Sequence, residues 1–234
     1  MFFGPLIWQI FRSCRGCSRG LDLTRLNLSQ SYSFAKLASI ELLMLRDQPC
    51  PLLPDQRGSI LPRIWLFTDE RNDAFLEHSI RQLPRGSGIV FRHYHLPEPS
   101  RRARFETVRK LARRRGHIIL LAGSPAQARL WGADGVHRRA LRRSGIGRLL
   151  HSAPVHDARE IQQANRVGAD FYFLSPVFAT RSHPGQRPLN PLQARRLAAL
   201  SNGAVIYLGG MNGRRYRARK NSSSHGWAAI DALS

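Results

Sequence analysis

Eight short apolar runs recur between residue 61 and the end of the chain, and each is too brief to be a helix of its own. They read IWLFT (64–68), GIVFRHY (88–94), HIILLA (117–122), DGVH (134–137), RLLHS (148–152), FYFLS (171–175), AVIYLG (204–209) and WAAI (227–230). Runs of this length, bounded by polar and glycine residues, predict buried strands. Helical patterns lie between several of them. Strands that alternate with helices imply a parallel sheet, and eight such units close most simply into a (β/α)8 TIM barrel. A doubly wound open sheet is the competing arrangement. The span 61–234 is short for a barrel, which typically takes about 250 residues. The chain ends four residues after the last run, so the eighth helix is expected to be missing.

The helix ends are readable. Residues 99–115 place Phe105, Val108, Leu111 and Ala112 on one face and stop at Gly116. Residues 157–167 carry Ala158, Ile161 and Ala164 at helical spacing and end at Gly168. Asn190-Pro191 supplies an N-cap followed by proline at the first helical position, and Asn202-Gly203 closes that helix.

Residues 1–60 differ. They show no sustained period apart from a possible helix over 33–45, which could cover part of the missing eighth helix, and they precede the regular pattern as an N-terminal extension. Translation starting at Met44 would remove most of it. Its opening MFFGPLIWQIF is apolar for about eleven residues, where a membrane span needs roughly twenty. No basic residue precedes that run, which argues against a secretory signal and against a membrane partner. All three cysteines, Cys14, Cys17 and Cys50, lie here, so the barrel region has no disulfide framework and a cytoplasmic setting is expected. The lone pair Cys14 and Cys17 lacks the second ligand pair that a zinc site needs.

The formal charge of +22 raises nucleic acid as a partner. Yet the bases are 34 arginines against Lys36, Lys110 and Lys220, spread over every segment instead of forming one stripe. Nucleic acid is therefore the disfavoured partner.

Three segments carry chemistry. FYFLSPVFATRSHPG (171–185) follows the triplet Gly168-Ala169-Asp170 and runs from a strand into hydroxyl, cationic and glycine residues. A second triplet, Gly132-Ala133-Asp134, precedes Gly135-Val136-His137, and YLGGM (207–211) follows the seventh run. In order and spacing these resemble the ADGVH, GPVFPT-type and GIGGI-type segments of the thiamine phosphate synthases and their thiazole tautomerase relatives. The resemblance covers about three-quarters of the chain. It implies a thiazole phosphate as the small-molecule ligand.

In such a barrel the reacting groups sit at the C-terminal strand ends, with phosphate near strands seven and eight. Gly209 and Gly210 fit the phosphate position, since backbone N–H groups there approach an anion without a Cβ in the way. The resemblance implies that Thr180 and Ser182 hold the phosphate-bearing substrate through their hydroxyls. The family's strand-two positions for pyrophosphate read Arg92, Tyr94 and Leu96 here, so only Arg92 keeps a cation. A true synthase uses Mg²⁺ held by two aspartates. The matching positions are Gly123 and Arg142, neither of them a magnesium ligand, so no metal and no other cofactor is expected. The serine ending the family's last strand is matched by Asp231. His156, in Pro154-Val155-His156, matches the Ser-x-His histidine that resembles the tautomerase acid/base, and imidazole suits proton transfer near neutrality. His137 and His151 are expected to fill the barrel mouth. The resulting expectation is a thiamin-biosynthesis family member that acts on a thiazole phosphate, as a synthase-type transferase by family or a tautomerase by its site residues. A non-catalytic binder of phosphorylated ligands is the alternative.

Overall fold

A computed structural model of the chain describes residues 61–139, 147, 149–180, 185, 187–219 and 223–231. The extension 1–60, with its expected helix over 33–45, lies outside the described residues. Eight strands follow one another: β1 Ile64–Phe67, β2 Gly88–Phe91, β3 Ile118–Leu121, β4 Gly135–His137, β5 Leu150–Val155, β6 Phe171–Leu174, β7 Ala204–Tyr207 and β8 Gly226–Ala229. Six helices lie among them: α1 Leu76–Gln82, α2 Glu98–Arg114, α3 Pro125–Trp131, α4 Ala158–Arg166, α5 Pro191–Ala199 and α6 Gly213–Ala218. A 3-10 helix, Glu70–Phe75, leads into α1. Each strand pairs in parallel with the next, and β1 pairs with β8 through Ile64↔Trp227, Trp65↔Ala228 and Leu66↔Ala229. That last pairing closes the barrel and rules out the open sheet. Among the described residues no helix follows β8.

Strand alternation sorts the side chains. Trp65, Phe67, Val90, Leu120, Leu150, Phe171, Phe173, Ile206 and Ala228 fill the barrel interior. Leu66, Ile89, Phe91 and Leu121 face outward against Phe105 and Val108 of α2. Phe67 and Phe173 meet edge to face at 4.8 Å, and burial of each contributes about 1.5–3 kcal/mol. Gly88 sits beside Trp65, and any Cβ there would overlap the indole ring.

The two Gly-Ala-Asp triplets have a structural task. Gly132 and Gly168 end α3 and α4 with φ of 70° and 69°, a left-handed turn that glycine adopts at little cost. The aspartate then clasps the preceding strand at both backbone groups. Asp134 N–H donates to the Ile119 carbonyl at 2.9 Å, while its carboxylate accepts from Ile119 N–H at 2.8 Å. Asp170 repeats this on His151, at 2.8 and 2.7 Å.

Two strands differ most from their expected runs. β2 stops at Phe91 because His93 takes φ 39° and turns the chain. β5 runs on through Pro154 to Val155, pairing with β6 up to Val155↔Leu174.

Candidate functional site

The C-terminal strand ends build the mouth. Arg92 follows β2 and continues its inward alternation after Val90. Its Nε donates to the Thr68 carbonyl at 3.0 Å, Nη2 pairs with the Asp69 carboxylate, and the guanidinium lies 5.5 Å over the Phe67 ring. Burial lowers the Arg92 pKa, with Asp69 opposing it. Burial also pushes the Asp69 carboxyl up. Hydrogen bonding from Arg71 and the Arg92 charge outweigh this and hold it below the usual carboxylate range. Arg71 also reaches Asp231 at 3.9 Å, so Asp231 meets a guanidinium on the β1 side.

Of the three positions that match the family's strand two, only Arg92 stays beside the strand end. Tyr94 lies in the turn beyond β2 and is 68% exposed, stacked under Arg101 at 5.3 Å, and Leu96 lies farther along the same loop. Between them and the strand, His93 is buried. It stacks on Phe91 at 4.6 Å and is bound through Nδ1 to the Thr68 hydroxyl at 2.7 Å and through Nε2 to Asp73 at 2.8 Å. Arg104 ties Asp73 and Glu77 to this cluster.

His137, the last residue of β4, enters the barrel as expected. Its Nδ1 meets the Ser152 hydroxyl at 2.9 Å, and its ring stands edge-on to Phe67 and Phe173, each at 5.3 Å. Burial pushes its pKa down to about 3, with Arg92 and His151 adding to the effect, so the imidazole is neutral. His151 does not join it. One residue into β5, it lies on the opposite strand face from Leu150 and Ser152, with Nε2 bound to the Arg138 carbonyl at 2.9 Å.

His156 sits just past β5, immediately before the Asp157 cap of α4. Its backbone N–H and its Nδ1 both meet Glu160 Oε2 at 2.8 Å. The other carboxylate oxygen, Oε1, pairs with Arg139 at 2.8 Å. With Nδ1 engaged by a carboxylate, Nε2 is the nitrogen left for chemistry, and the side chain is 25% exposed. Sequence reading missed Glu160, although its four-residue offset from His156 inside a capped first turn was a usable signal.

The loops after β6 and β7 meet. Val177 N–H donates to the Leu208 carbonyl at 2.9 Å, and Phe178 N–H to the Gly209 carbonyl at 3.0 Å. Gly209 and Gly210 take φ of 91° and 57°. A Cβ on Gly209 would come within 2.9 Å of Pro176 Cα, and one on Gly210 would overlap the Ala179 carbonyl oxygen. The glycine pair is thus required first by contact between loops. Thr180 directly follows Ala179 and so belongs to the same corner, while Ser182 lies outside the described residues. Phe178 carries Arg215 and Arg219 over its ring at 4.8 and 4.6 Å, two cations that sequence spacing gave no reason to pair with this loop.

No group of three or more His, Cys, Asp or Glu able to hold a metal gathers among the described residues. Asp69, the carboxylate after β1, has both oxygens committed to Arg71 and Arg92. Gly123 brings no ligand, and Gln127 of the α3 capping box occupies the space beside it. Arg142 lies outside the described residues. The side chains described at this mouth do not fit a magnesium ion.

Residues 64–233, nearly the whole barrel, match the family described as thiamine monophosphate synthase. The chain belongs to that family. A protein of Aquifex aeolicus named "Putative thiamine-phosphate synthase 2" is 27% identical over 179 residues, covering 73% of this chain and 96% of its own. The ThiM/ThiE bifunctional thiamine biosynthesis protein of Symbiobacterium thermophilum is 29% identical over 153 residues, 62% of this chain and 32% of the longer protein. Among solved structures, thiamine phosphate pyrophosphorylase from Pyrococcus furiosus superposes with a TM-score of 0.63 at 23% identity, over 73% of this chain and 86% of that one. At that identity the likeness concerns the thiamine monophosphate synthase fold alone. No helix among the described residues is long and apolar enough to cross a membrane.

Proposed function

We propose that this family member works in thiamin biosynthesis on a thiazole phosphate, moving a proton on the thiazole ring with His156 as acid and base. The observation that carries the reading is the His156–Glu160 pair, held at 2.8 Å at a strand end where a barrel presents its reacting groups. The carboxylate fixes the tautomer. Nδ1 carries the proton donated to Glu160, and Nε2 takes a proton from one carbon of the non-aromatic thiazole and returns it at another. The product is the aromatic ring. No leaving group departs and no metal takes part.

The names of the relatives favour a second reading, condensation of the thiazole phosphate with a pyrimidine diphosphate in a transferase reaction. That chemistry has to neutralise a departing pyrophosphate, for which the family uses magnesium and strand-two cations. Here Arg92 is tied to Asp69, Tyr94 turns to the surface, and no metal ligands gather among the described residues. A binder without catalysis is the third reading, and the partial exposure of His156 speaks against it.

The test is conversion of the non-aromatic thiazole carboxylate phosphate, followed by NMR, with a parallel assay for condensation in the presence of Mg²⁺. His156→Ala and His156→Gln should lower proton transfer by about 10²–10⁴ while ligand affinity is kept. Wild-type rates in both variants would sink the assignment, as would a wild type that condenses but does not tautomerise.

A further inference from the structure

We infer that the barrel end opposite the mouth, where α1, α2 and α3 finish, binds the phosphodiester backbone of a nucleic-acid duplex without reading its sequence. This surface is independent of the proton-transfer chemistry, which belongs to the other end of the strands.

In a barrel of parallel strands the helices run back, so their C-termini gather at the end where the strands begin. The last turn of α1 carries Arg81, that of α2 carries Arg113 and Arg114, and that of α3 carries Arg129. The loop after α1 adds Arg85, and the second half of α2 adds Lys110. Contacts join these into one surface. Arg113 donates to the Gly132 carbonyl at 3.2 Å, and a Cβ on Gly132 would lie 3.2 Å from the Arg109 guanidinium. Arg115 reaches the other way, to the Leu83 carbonyl at 3.1 Å. Burial lowers the pKa of His117, and the charges of Arg115 and Arg85 add to it, so both cations stand near that ring. Bases dispersed along the sequence are thereby brought to one place.

Few carboxylates face them. Arg92, Arg104 and Arg139 are each paired with an acid toward the mouth, where helix first turns carry Glu77, Glu98 and Glu160. At the opposite end the carboxylates among the described residues are Asp134 and Asp170, and each spends an oxygen on a strand N–H. Arg81, Arg85, Lys110 and Arg114 are exposed, and among the described residues no acid pairs with them. A helix C-terminus favours a cation in its last turn. That accounts for Arg81 and Arg113 but not for a whole cationic face, whose self-repulsion a polyanion would relieve.

The chemistry selects a duplex. Guanidinium forks match phosphate oxygens. Packed helices about 8–10 Å apart spread the three ends over about 20 Å, the rise of about six base pairs at about 3.4 Å each. Leu130 is the large apolar side chain exposed at these helix ends, too little to enter a membrane. Phe75 and Tyr94, the large aromatic side chains exposed among the described residues, lie toward the mouth, so unpaired bases have no ring to stack on here.

Fluorescence anisotropy of the full chain with labelled duplex DNA, duplex RNA and a single strand, over a range of salt concentrations, tests this. Arg81→Gln/Arg85→Gln/Lys110→Gln/Arg114→Gln removes exposed cations from the surface. Arg195→Gln/Arg196→Gln/Arg214→Gln/Arg217→Gln removes the same charge from exposed positions on α5 and α6 and controls for net charge. Because these side chains are exposed, both variants should unfold at the wild-type temperature. Wild type should bind duplexes more tightly than single strands. The first variant should lose about tenfold or more in affinity, and about 0.9 in the log–log salt slope for each phosphate contact removed, while the control keeps most of both. A duplex of either sugar that loses affinity in the first variant alone supports the inference, and the tighter of the two names the source. Equal losses in the two variants would reduce the binding to net charge and overturn it. So would a wild type that binds no duplex, or one that prefers single strands or vesicles rich in acidic lipid.

Discussion

His137 makes the stability of this barrel depend on pH, and the size of the effect follows from its surroundings. The unfolded imidazole titrates at its ordinary value of 6.5, while the folded one is pushed down to about 3 by burial, with Arg92 and His151 adding to it. Between those two values the unfolded chain binds a proton that the folded chain refuses. Stability attributable to this group is therefore complete above 6.5 and is lost as pH falls toward 3. At about pH 5 the loss relative to about pH 7.5 is about 2 kcal/mol, from 1.36 kcal/mol per unit below the unfolded value. His137 is half-buried, and screening by solvent makes this an upper figure. His93, His117 and His225, whose pKa values burial also lowers, act with the same sign. A variant is needed to isolate His137. In His137→Phe the edge-on stack with Phe67 and Phe173 persists and the titration disappears. Urea unfolding at both pH values should show wild type losing up to about 2 kcal/mol more than the variant, which thermal unfolding would read as about 4–8 °C in Tm for a domain of this size. Equal losses in the two proteins would refute the argument.

Gly210→Ala should destabilise the chain by about 1–3 kcal/mol and weaken phosphate binding, because the new methyl overlaps the Ala179 carbonyl in a left-handed turn; thermal unfolding with and without phosphate measures both. Glu160→Ala should lower kcat for proton transfer with little change in KM, since it frees the His156 ring without touching the phosphate corner, and steady-state kinetics separates the two. Mg²⁺ or a chelator should leave thiazole phosphate affinity unchanged by calorimetry. A metal requirement would mean that Asp69 leaves Arg71 and Arg92 to serve as a ligand.

The barrel was legible because burial leaves a plain pattern: all eight strands lie within or beside the apolar runs that announce them. The errors are local. The alternation past Phe91 hid a turn set by the backbone of His93, and Pro154 concealed the extension of β5, since a proline normally argues against a strand interior. α1 and α6 are too short to show a period. α3 is equally short, and its capping box of Ser124 and Gln127 was a usable signal that the sequence reading missed. At the site, positions tied to strand ends were readable: Arg92, His137, His156, Thr180, Gly209 and Gly210 all lie at C-terminal strand ends or in the loops that follow. What sequence could not supply were partners brought in from other elements. Asp69 on Arg92, Arg139 on Glu160, and Phe178 under Arg215 of α6 and Arg219 just past it arise only once the barrel closes.

The two hydrogen bonds that run from Val177 and Phe178 to Leu208 and Gly209 extend the β6–β7 ladder beyond its strands and into the loops. The segments 176–179 and 208–210 are consequently one inherited module. Neither can lengthen, shorten or exchange a glycine unless the other changes with it. Anyone transplanting this loop corner from a relative into this barrel must move both segments at once, and divergence within the family should show them changing in step.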